Sequence, residues 1–324
     1  MKPHILSFLL LLFLVNPTIA QRITDLPGST LVSSYSPSPP SLTGAIPDTS
    51  TLNKKRLAWT ITGETIFYVG GMSYLGFVWY KDVDRVPFHF YNDNAGYLQI
   101  DKFGHVYGAY LESYIGYHAL RAAGVKKGPA IWLGGTLGLI LQTPIEIFDG
   151  LYAGWGFSWG DMIANAAGAG LVMGQAALFD DQIFRYKFSF WRSTYADTAG
   201  GYLGDNFLQS LLYDYNGHTY WLSMNANRII PGDPLPAWLN IAAGYSANGM
   251  YGEFENRTRW GSTIIPETPR DRQFLLSLDV DWEKIPTSNK TLKVLFKGLN
   301  FVKIPFPALE INSRGQFRGY WLYF

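Results

Sequence analysis

The chain of 324 residues contains no cysteine. That absence excludes disulfide stapling, thiolate nucleophiles, cysteine-held zinc or iron-sulfur sites, and attachment as a bacterial lipoprotein through an N-terminal cysteine. Charge is scarce as well: 16% of residues are Asp, Glu, Lys or Arg, with 26 basic against 25 acidic. So sparse and balanced a charge excludes a disordered acidic or basic tail and a nucleic-acid binder built on bulk positive charge. No glycine-rich loop lies between a strand and a helix, which removes the usual phosphate cradle. Aromatic residues, by contrast, are plentiful. The 21 Tyr, 21 Phe and 11 Trp make up 16% of the chain, which suits a protein that meets a membrane interface.

Residues 1–20 have the layout of a secretory signal peptide: Lys2 and His4, an apolar run from Ile5 to Val15, then Pro17, Thr18, Ile19 and Ala20. Cleavage is expected after Ala20. An uncleaved anchor is the other reading, but the run is short beside the roughly 20 residues that span a bilayer. Removing the segment takes away Lys2 and no acid, so the mature chain is neutral and exported. Residues 21–53 carry Pro37, Pro39, Pro40 and Pro47 among Ser and Thr, and are expected to form an extended linker.

Residues 54–184 predict a Gly-rich helical bundle. Its apolar segments run over about 57–79, 102–123, 129–148 and 159–179, and the last contains NAAGAGLVMGQAAL, whose small residues let helices approach closely. The first, third and fourth are long enough to cross a membrane. An inner-membrane arrangement with an exported N-terminus would place Lys54, Lys55, Arg56, Arg121, Lys126 and Lys127 outside, and Lys81 and Arg85 inside. That is the reverse of the usual bias. The helices are therefore expected outside the inner membrane, in the periplasm or docked on the outer membrane.

Residues 185–324 predict an antiparallel β region, so the fold class is α+β. Alternation is clearest over 274–282, where Phe274, Leu276, Leu278, Val280 and Trp282 share one face. Further strands are expected over 219–225, 240–247, 292–297, 309–313 and 317–324, with a turn at Arg314 and Gly315. The terminal YWLYF is similar to the closing strand of outer-membrane barrels, although a curved sheet packed on the helices gives the same alternation. The two halves are expected to pack, because each alternating strand offers an apolar face to cover.

Each of three helices carries a polar stripe. Asp101, His105 and Glu112 share a face of the second; Gln142, Glu146 and Asp149 line up on the third with Gly135 and Gly138; Asp161, Asn165, Gly168 and Gln175 do so on the fourth. Turning the stripes toward one another avoids stranding charge in an apolar setting, which costs several kcal/mol. The strings DKFGH (101–105), EIFDG (146–150) and GFSWGDMIANAAGA (156–169) resemble the YfiM-like family of predicted periplasmic proteins of unknown function. They are more distantly similar to VanZ-like membrane proteins, which share the Asp-Lys-x-x-His start and a Ser-x-x-Asp-x-x-x-Asn segment. YDYNGHTYWLS and SLDVDWEKI extend the likeness to longer Bacteroidetes-type relatives. The lipoprotein pattern of YfiM departs here, since no cysteine is present. The resemblance implies an envelope location and no reaction.

Three readings of the stripes stay open, the third of them a lipid or small-ligand pocket. In one, His105, Glu146, Asp149 and Asp161 hold a divalent metal, or His105, Glu146 and Asp161 act as acid and base. The spacing matches no established metal motif. In another, the polar core is structural. Asp101 caps the second helix, Ser158 with Asp161 forms one capping box, Thr143, Pro144 and Glu146 form another, and Glu112, Gln142 and Asn165 hydrogen-bond inside the bundle. His105 is then expected within reach of Glu146, Asp149, Asp161 or Asn165, in a pocket lined by Gly135, Gly138 and Gly168. His218 reads as a turn residue, and His89 and His118 as isolated. Ser158 would need His105 brought to it to act as a nucleophile. The expected function is a membrane-associated structural or interaction protein of the periplasm or outer membrane, with membrane or envelope lipid as partner and no nucleic acid. The alternative is a metal-dependent or acid/base hydrolase of a lipid or cell-wall component.

Overall fold

The computed structural model describes residues 51–324 except 180, 231 and 233. The expected signal segment, and the linker up to residue 50, lie outside the described residues. Helix α1 (Lys54–Tyr74) starts where the Asn53 side chain accepts the Arg56 N–H at 2.9 Å, and runs on into a π-helical turn, Leu75–Trp79. After a 3-10 turn (Gly96–Gln99) come α2 (Ile100–Ala122), α3 (Lys127–Gly135), α4 (Leu137–Asp149) and α5 (Trp159–Phe179). The single helix expected over 129–148 is broken at Thr136, next to Gly134 and Gly135. A side chain on Gly134 would strike the Gly116 and Tyr117 backbone, so the glycines that let α3 touch α2 are also where the rod bends.

Helix α2 is the centre of the bundle. A Cβ on Gly138 would collide with the Ala109 carbonyl, and one on Gly168 with that of Val106; without them α4 and α5 lie directly on the α2 backbone. These glycines therefore serve the helix crossings, and Gly135 faces Met173. The stripes had placed them around a pocket at His105; each of them meets a neighbouring helix. Among the described residues two stretches, Lys127–Asp149 and Trp159–Phe179, are long and apolar enough to cross a membrane, with about a third or more of each buried.

The chain then builds a six-stranded antiparallel sheet. The strands are β1 (Phe184–Phe190), β2 (His218–Asn225), β3 (Leu239–Asn248), β6 (Asp271–Val280), β7 (Phe306–Asn312) and β8 (Phe317–Tyr323), in that spatial order. A two-stranded ribbon, β4 (Arg259–Trp260) and β5 (Thr263–Ile264), and short helices α6 (Tyr195–Thr198) and α7 (Phe207–Tyr213) fill the connections. Gly315, at φ +75°, makes the turn of the final hairpin. Residues 292–297 are not a strand: they lie in helix α8 (Lys290–Leu299), where Asn289 accepts the Thr291 and Leu292 N–H groups. Leu292, Val294 and Phe296 alternate, but Leu292, Leu295, Phe296 and Leu299 also recur at helical spacing, and the cap decides between the two patterns. Trp282 likewise leaves the sheet for a 3-10 turn.

One aromatic core spans both halves. Tyr107 and Tyr110 of α2 pack with Tyr186 and Phe188 of β1 and Tyr220 of β2, and Phe103 stacks on Tyr245 of β3 at 4.3 Å. Beyond β3 the expectation of a covered apolar face fails. On β6, Asp271, Gln273, Leu275, Ser277 and Asp279 are the buried set, whereas Phe274, Leu276 and Leu278 are exposed. On β7, Ala308, Glu310 and Asn312 are buried, and Leu309 and Ile311 are exposed. Curling of the sheet explains the inversion. Residues 301–303 close against β1 through Phe188 N–H to Phe301 O (3.1 Å) and Lys303 N–H to Phe188 O (2.9 Å). The concave side then encloses Trp221, Ala242, Leu275 and Ala308 among paired polar groups, Lys187 with Asp279 at 2.7 Å and Gln273 with Glu310 at 2.8 Å.

Candidate functional site

The stripes on α2, α4 and α5 converge, and their meeting point is organised by Lys102. Its ammonium lies 2.6 Å from Asp161 Oδ1, 2.7 Å from Asp93 Oδ1 and 3.2 Å from Asp101 Oδ2. Neither Lys102 nor Asp93 stands out in the stripe pattern, although Lys102 is part of DKFGH. All three carboxylates are buried, and the shared ammonium offsets part of their charge.

His105 sits one helical turn further along α2 and is fully enclosed. Its Nδ1 lies 3.1 Å from Asn165 Oδ1 on α5. With that oxygen accepting, Nδ1 carries a proton, and Nε2 is the nitrogen that faces the carboxylates. Nε2 is 3.4 Å from Asp161 Oδ1, 3.7 Å from Glu146 Oε1 and 4.0 Å from Asp101 Oδ2. The expected approach of His105 to Glu146, Asp161 and Asn165 is therefore found. Asp149 turns elsewhere: its Oδ1 accepts the Tyr80 hydroxyl, which stacks on Tyr152 at 4.3 Å. The side chains with ligating atoms close enough to share one ion, within 4.8 Å of one another, are Asp101, His105 and Asp161.

The capping expectations divide. Ser158 Oγ accepts the Asp161 N–H at 3.1 Å and so caps α5. The same hydroxyl donates to Asp93 at 2.6 Å, which leaves its proton committed to a carboxylate and not to an imidazole. The Ser158 N–H donates to Glu146 Oε2 at 3.3 Å. Asp101 is not the cap of α2; Gln99 holds that place, and Asp101 Oδ1 accepts the Tyr215 hydroxyl at 3.2 Å. Thr143 and Pro144 are interior to α4, with Thr143 Oγ1 donating to Leu139 O at 2.7 Å, so no capping box exists there. Proline is compatible with helix start and interior alike when the carbonyl a turn earlier is released, and sequence spacing does not separate the two.

Two further polar pairs lie away from this point. Gln142 Nε2 donates to Glu112 Oε1 at 3.1 Å, and burial pushes the Glu112 carboxyl up to about 8. Gln175 bonds Gln182 and both backbone groups of Phe184, tying the end of α5 to β1. Three other described histidines lie away from this point. Burial lowers His118 to about 4 and His218 to about 3; His218 is no turn residue but the buried first residue of β2, bonded to Leu211 O at 3.0 Å. His89 bonds Trp155 O at 2.6 Å.

The segment leading into α2 is strained. Tyr97, Leu98 and Gln99 have φ of 45°, 51° and 69°, three successive side-chain-bearing residues in the left-handed region. Such residues cost of order 1–3 kcal/mol each and persist where surrounding contacts over-determine them. Here Tyr97 N–H donates to Glu253 O at 2.7 Å, the Tyr245 hydroxyl donates to Leu98 O, and Arg272 holds Gln99 Oε1 at 2.7 Å. Next to this segment a cavity of about 30 Å³ is lined by Asp93, Asp101 and Glu253 with Tyr91, Tyr97 and Trp155. It adjoins an open aromatic cleft of about 600 Å³ that shares Tyr97, Gly154, Trp155 and Glu253 with it. The sequence offers no signal for this cleft, because its walls come from the π turn, the 152–155 loop and the 201–260 connections.

The family model of predicted periplasmic lipoproteins (DUF2279) matches residues 89–177. No curated protein and no solved structure matches the chain at a significant level. The matched stretch contains Asp93, Asp101, Lys102, His105, Glu146, Asp149, Ser158, Asp161 and Asn165, the whole of the convergent cluster, and stops before β1. With no cysteine in the sequence to take a lipid, the lipoprotein part of that description has no counterpart here.

Proposed function

We propose that this is an exported envelope protein that docks on a lipid bilayer, with a polar helix core that fixes helix register and is not catalytic. The inverted sheet carries this reading. Leu276 is 52% exposed while its neighbour Leu275 is 5% exposed, and Trp321 on β8 is 90% exposed. Water selects the opposite arrangement, and hydrocarbon selects this one. The helices add exposed Trp59, Phe77, Trp132 and Trp159, aromatic residues of the kind that settle at a bilayer interface. The family description agrees with export to the periplasm. The finer likeness to YfiM-like and VanZ-like proteins rests on the strings around Asp101 and Asp161 and fits the same envelope setting.

Flotation with phosphatidylethanolamine/phosphatidylglycerol vesicles tests the reading. The purified chain should rise with the vesicles, and a Leu276→Asp/Leu309→Asp variant should do so at least about tenfold less. A wild-type chain that stays in the soluble fraction, or that hides this face in a dimer, would overturn it.

The second reading, metal-dependent or acid/base hydrolysis of a lipid or cell-wall component, is favoured by one observation, the approach of Asp101, His105 and Asp161. Against it, the Lys102 ammonium already contacts two of these carboxylates and competes with a metal ion for them. Metal analysis of the purified chain, with and without His105→Ala, tests its metal-dependent form: stoichiometric metal lost in the variant would favour a metal site at His105, and no metal would leave only the acid/base form.

A further inference from the structure

We propose that helix α8, which lies in the chain between β6 and β7, seats on anionic phospholipid and so selects the charge of the bilayer. The inference rests on the bilayer-docking reading and adds to it a second contact and a headgroup chemistry. On α8, Leu292, Leu295, Phe296 and Leu299 share one face, and Lys290, Lys293 and Lys297, spaced by three and four residues, share the opposite one. None of its ten residues is buried. Phe296 meets Trp282 at 5.6 Å, while Leu292 and Leu295 on the same face stay exposed. A helix this short is marginal in water unless its apolar face has a partner.

The charges select the partner. Residues 285–309 contain four lysines and no acid. Lys303 is buried over Trp221 at 4.5 Å, whereas Lys290, Lys293 and Lys297 are exposed. The acids before the helix are engaged elsewhere: Asp281 and Glu283 by Arg185 at 3.6 and 3.0 Å and by Asn300, and Asp181 by Lys284 at 3.7 Å. Glu310, after it, is bonded to Gln273. Among the described residues no ion pair joins the three α8 lysines to a carboxylate. The ground beside α8 is basic too. Burial holds the His118 ring neutral and Lys297 adds to that effect, which places α8 beside the last turns of α2. Where α2 ends, the Asn53 N–H donates to Ala123 O at 2.9 Å and the Arg56 guanidinium to Ala122 O at 2.7 Å, so exposed Lys54 and Lys55 gather with Lys126 at that end of the bundle. Residues 51–63 and 113–145 hold no acid either. An apolar stripe edged by ammonium groups fits the headgroup boundary of an anionic leaflet, where each lysine near the surface adds about fivefold to binding. A second copy pairing through α8 would set like charges against each other.

Flotation of the full chain with phosphatidylethanolamine/phosphatidylglycerol vesicles, and with vesicles in which phosphatidylcholine replaces the phosphatidylglycerol, tests the proposal. The wild-type chain should bind the anionic vesicles at least about tenfold more tightly, with the preference shrinking as salt is raised. Lys290→Gln/Lys293→Gln/Lys297→Gln should lose at least about tenfold on anionic vesicles and change little on zwitterionic ones, at an unchanged melting temperature. Leu292→Ser/Leu295→Ser should lose about tenfold on both. A lysine variant that keeps the preference, a leucine variant that floats like the wild type, or a dimer that the leucine variant splits would overturn the proposal. Equal binding of the wild-type chain to the two compositions would overturn it and leave bilayer docking standing. Unchanged flotation of Leu276→Asp/Leu309→Asp beside a loss in the lysine variant would instead sink the sheet-face contact and leave the α8 contact.

Discussion

Lys102 Nζ and Asp161 Oδ1, 59 residues apart in sequence, lie 2.6 Å apart and join α2 to α5. Both side chains are almost wholly removed from solvent, so the pair does not behave as a surface ion pair. Removing the ammonium takes away the cation that contacts Asp93, Asp101 and Asp161. Lys102→Met should destabilise the fold by about 3–5 kcal/mol, the usual cost of stranding a buried charge. Urea unfolding followed by circular dichroism measures it. A change under about 1 kcal/mol would mean that another cation neutralises the cluster.

His105→Ala removes the partner of Asn165 Oδ1 and a ring enclosed among three carboxylates. The expected loss is about 1–3 kcal/mol from the unsatisfied buried groups. On the structural reading His105→Gln, which keeps a donor, should recover part of it. Thermal melts of the two variants side by side check this.

Glu112 sets a pH dependence. Its pKa is raised in the fold, from 4.5 to about 8, by burial. The folded chain therefore holds this proton more tightly than the unfolded chain does. The resulting stabilisation is complete below about pH 4.5, falls as pH rises, and is gone above about pH 8. Glu112→Gln keeps the shape and the bond to Gln142 while removing the titration. Melting temperatures from pH 5 to 9 should fall for the wild-type chain and flatten over that interval for the variant.

Two glycines two residues apart on α5 should respond oppositely. Gly168 meets the Val106 carbonyl and the Tyr110 N–H, so Gly168→Ala must push α5 off α2, at a cost of about 1–3 kcal/mol or more. Gly170 has nothing near the position of a Cβ, and Gly170→Ala should stabilise by up to about 1 kcal/mol through helix propensity. Differential scanning calorimetry on the pair checks whether α5 crosses α2 where the structure places it.

Much of this molecule is local and was open to reading along the chain. Helix α5 was legible end to end because its small and polar residues repeat at helical spacing. Strands β2, β3 and β6 were legible because alternation needs only adjacent residues. The approach of His105 to Asn165, Asp161 and Glu146 followed from one rule, that polar stripes on apolar helices face one another. Segment 292–297 was misread because its apolar residues satisfy both periods, and the Asn289 cap, a matter of backbone geometry, selects the helix.

What the chain pattern could not decide is which face of an element is inside. Alternation on β6 separates Phe274, Leu276 and Leu278 from Gln273, Leu275, Ser277 and Asp279, yet only the curl of the sheet, closed by residues 301–303 against β1, determines that the polar set is enclosed. Lys102 joined the cluster for a similar reason: Asp161 lies 59 residues away, and only the α2–α5 crossing over Gly168 brings the two charges within reach. Periodicity fixes faces relative to the element's own axis. The sign of each face, and the company each charge keeps, is set by long-range packing against whatever solvent or partner surrounds the whole.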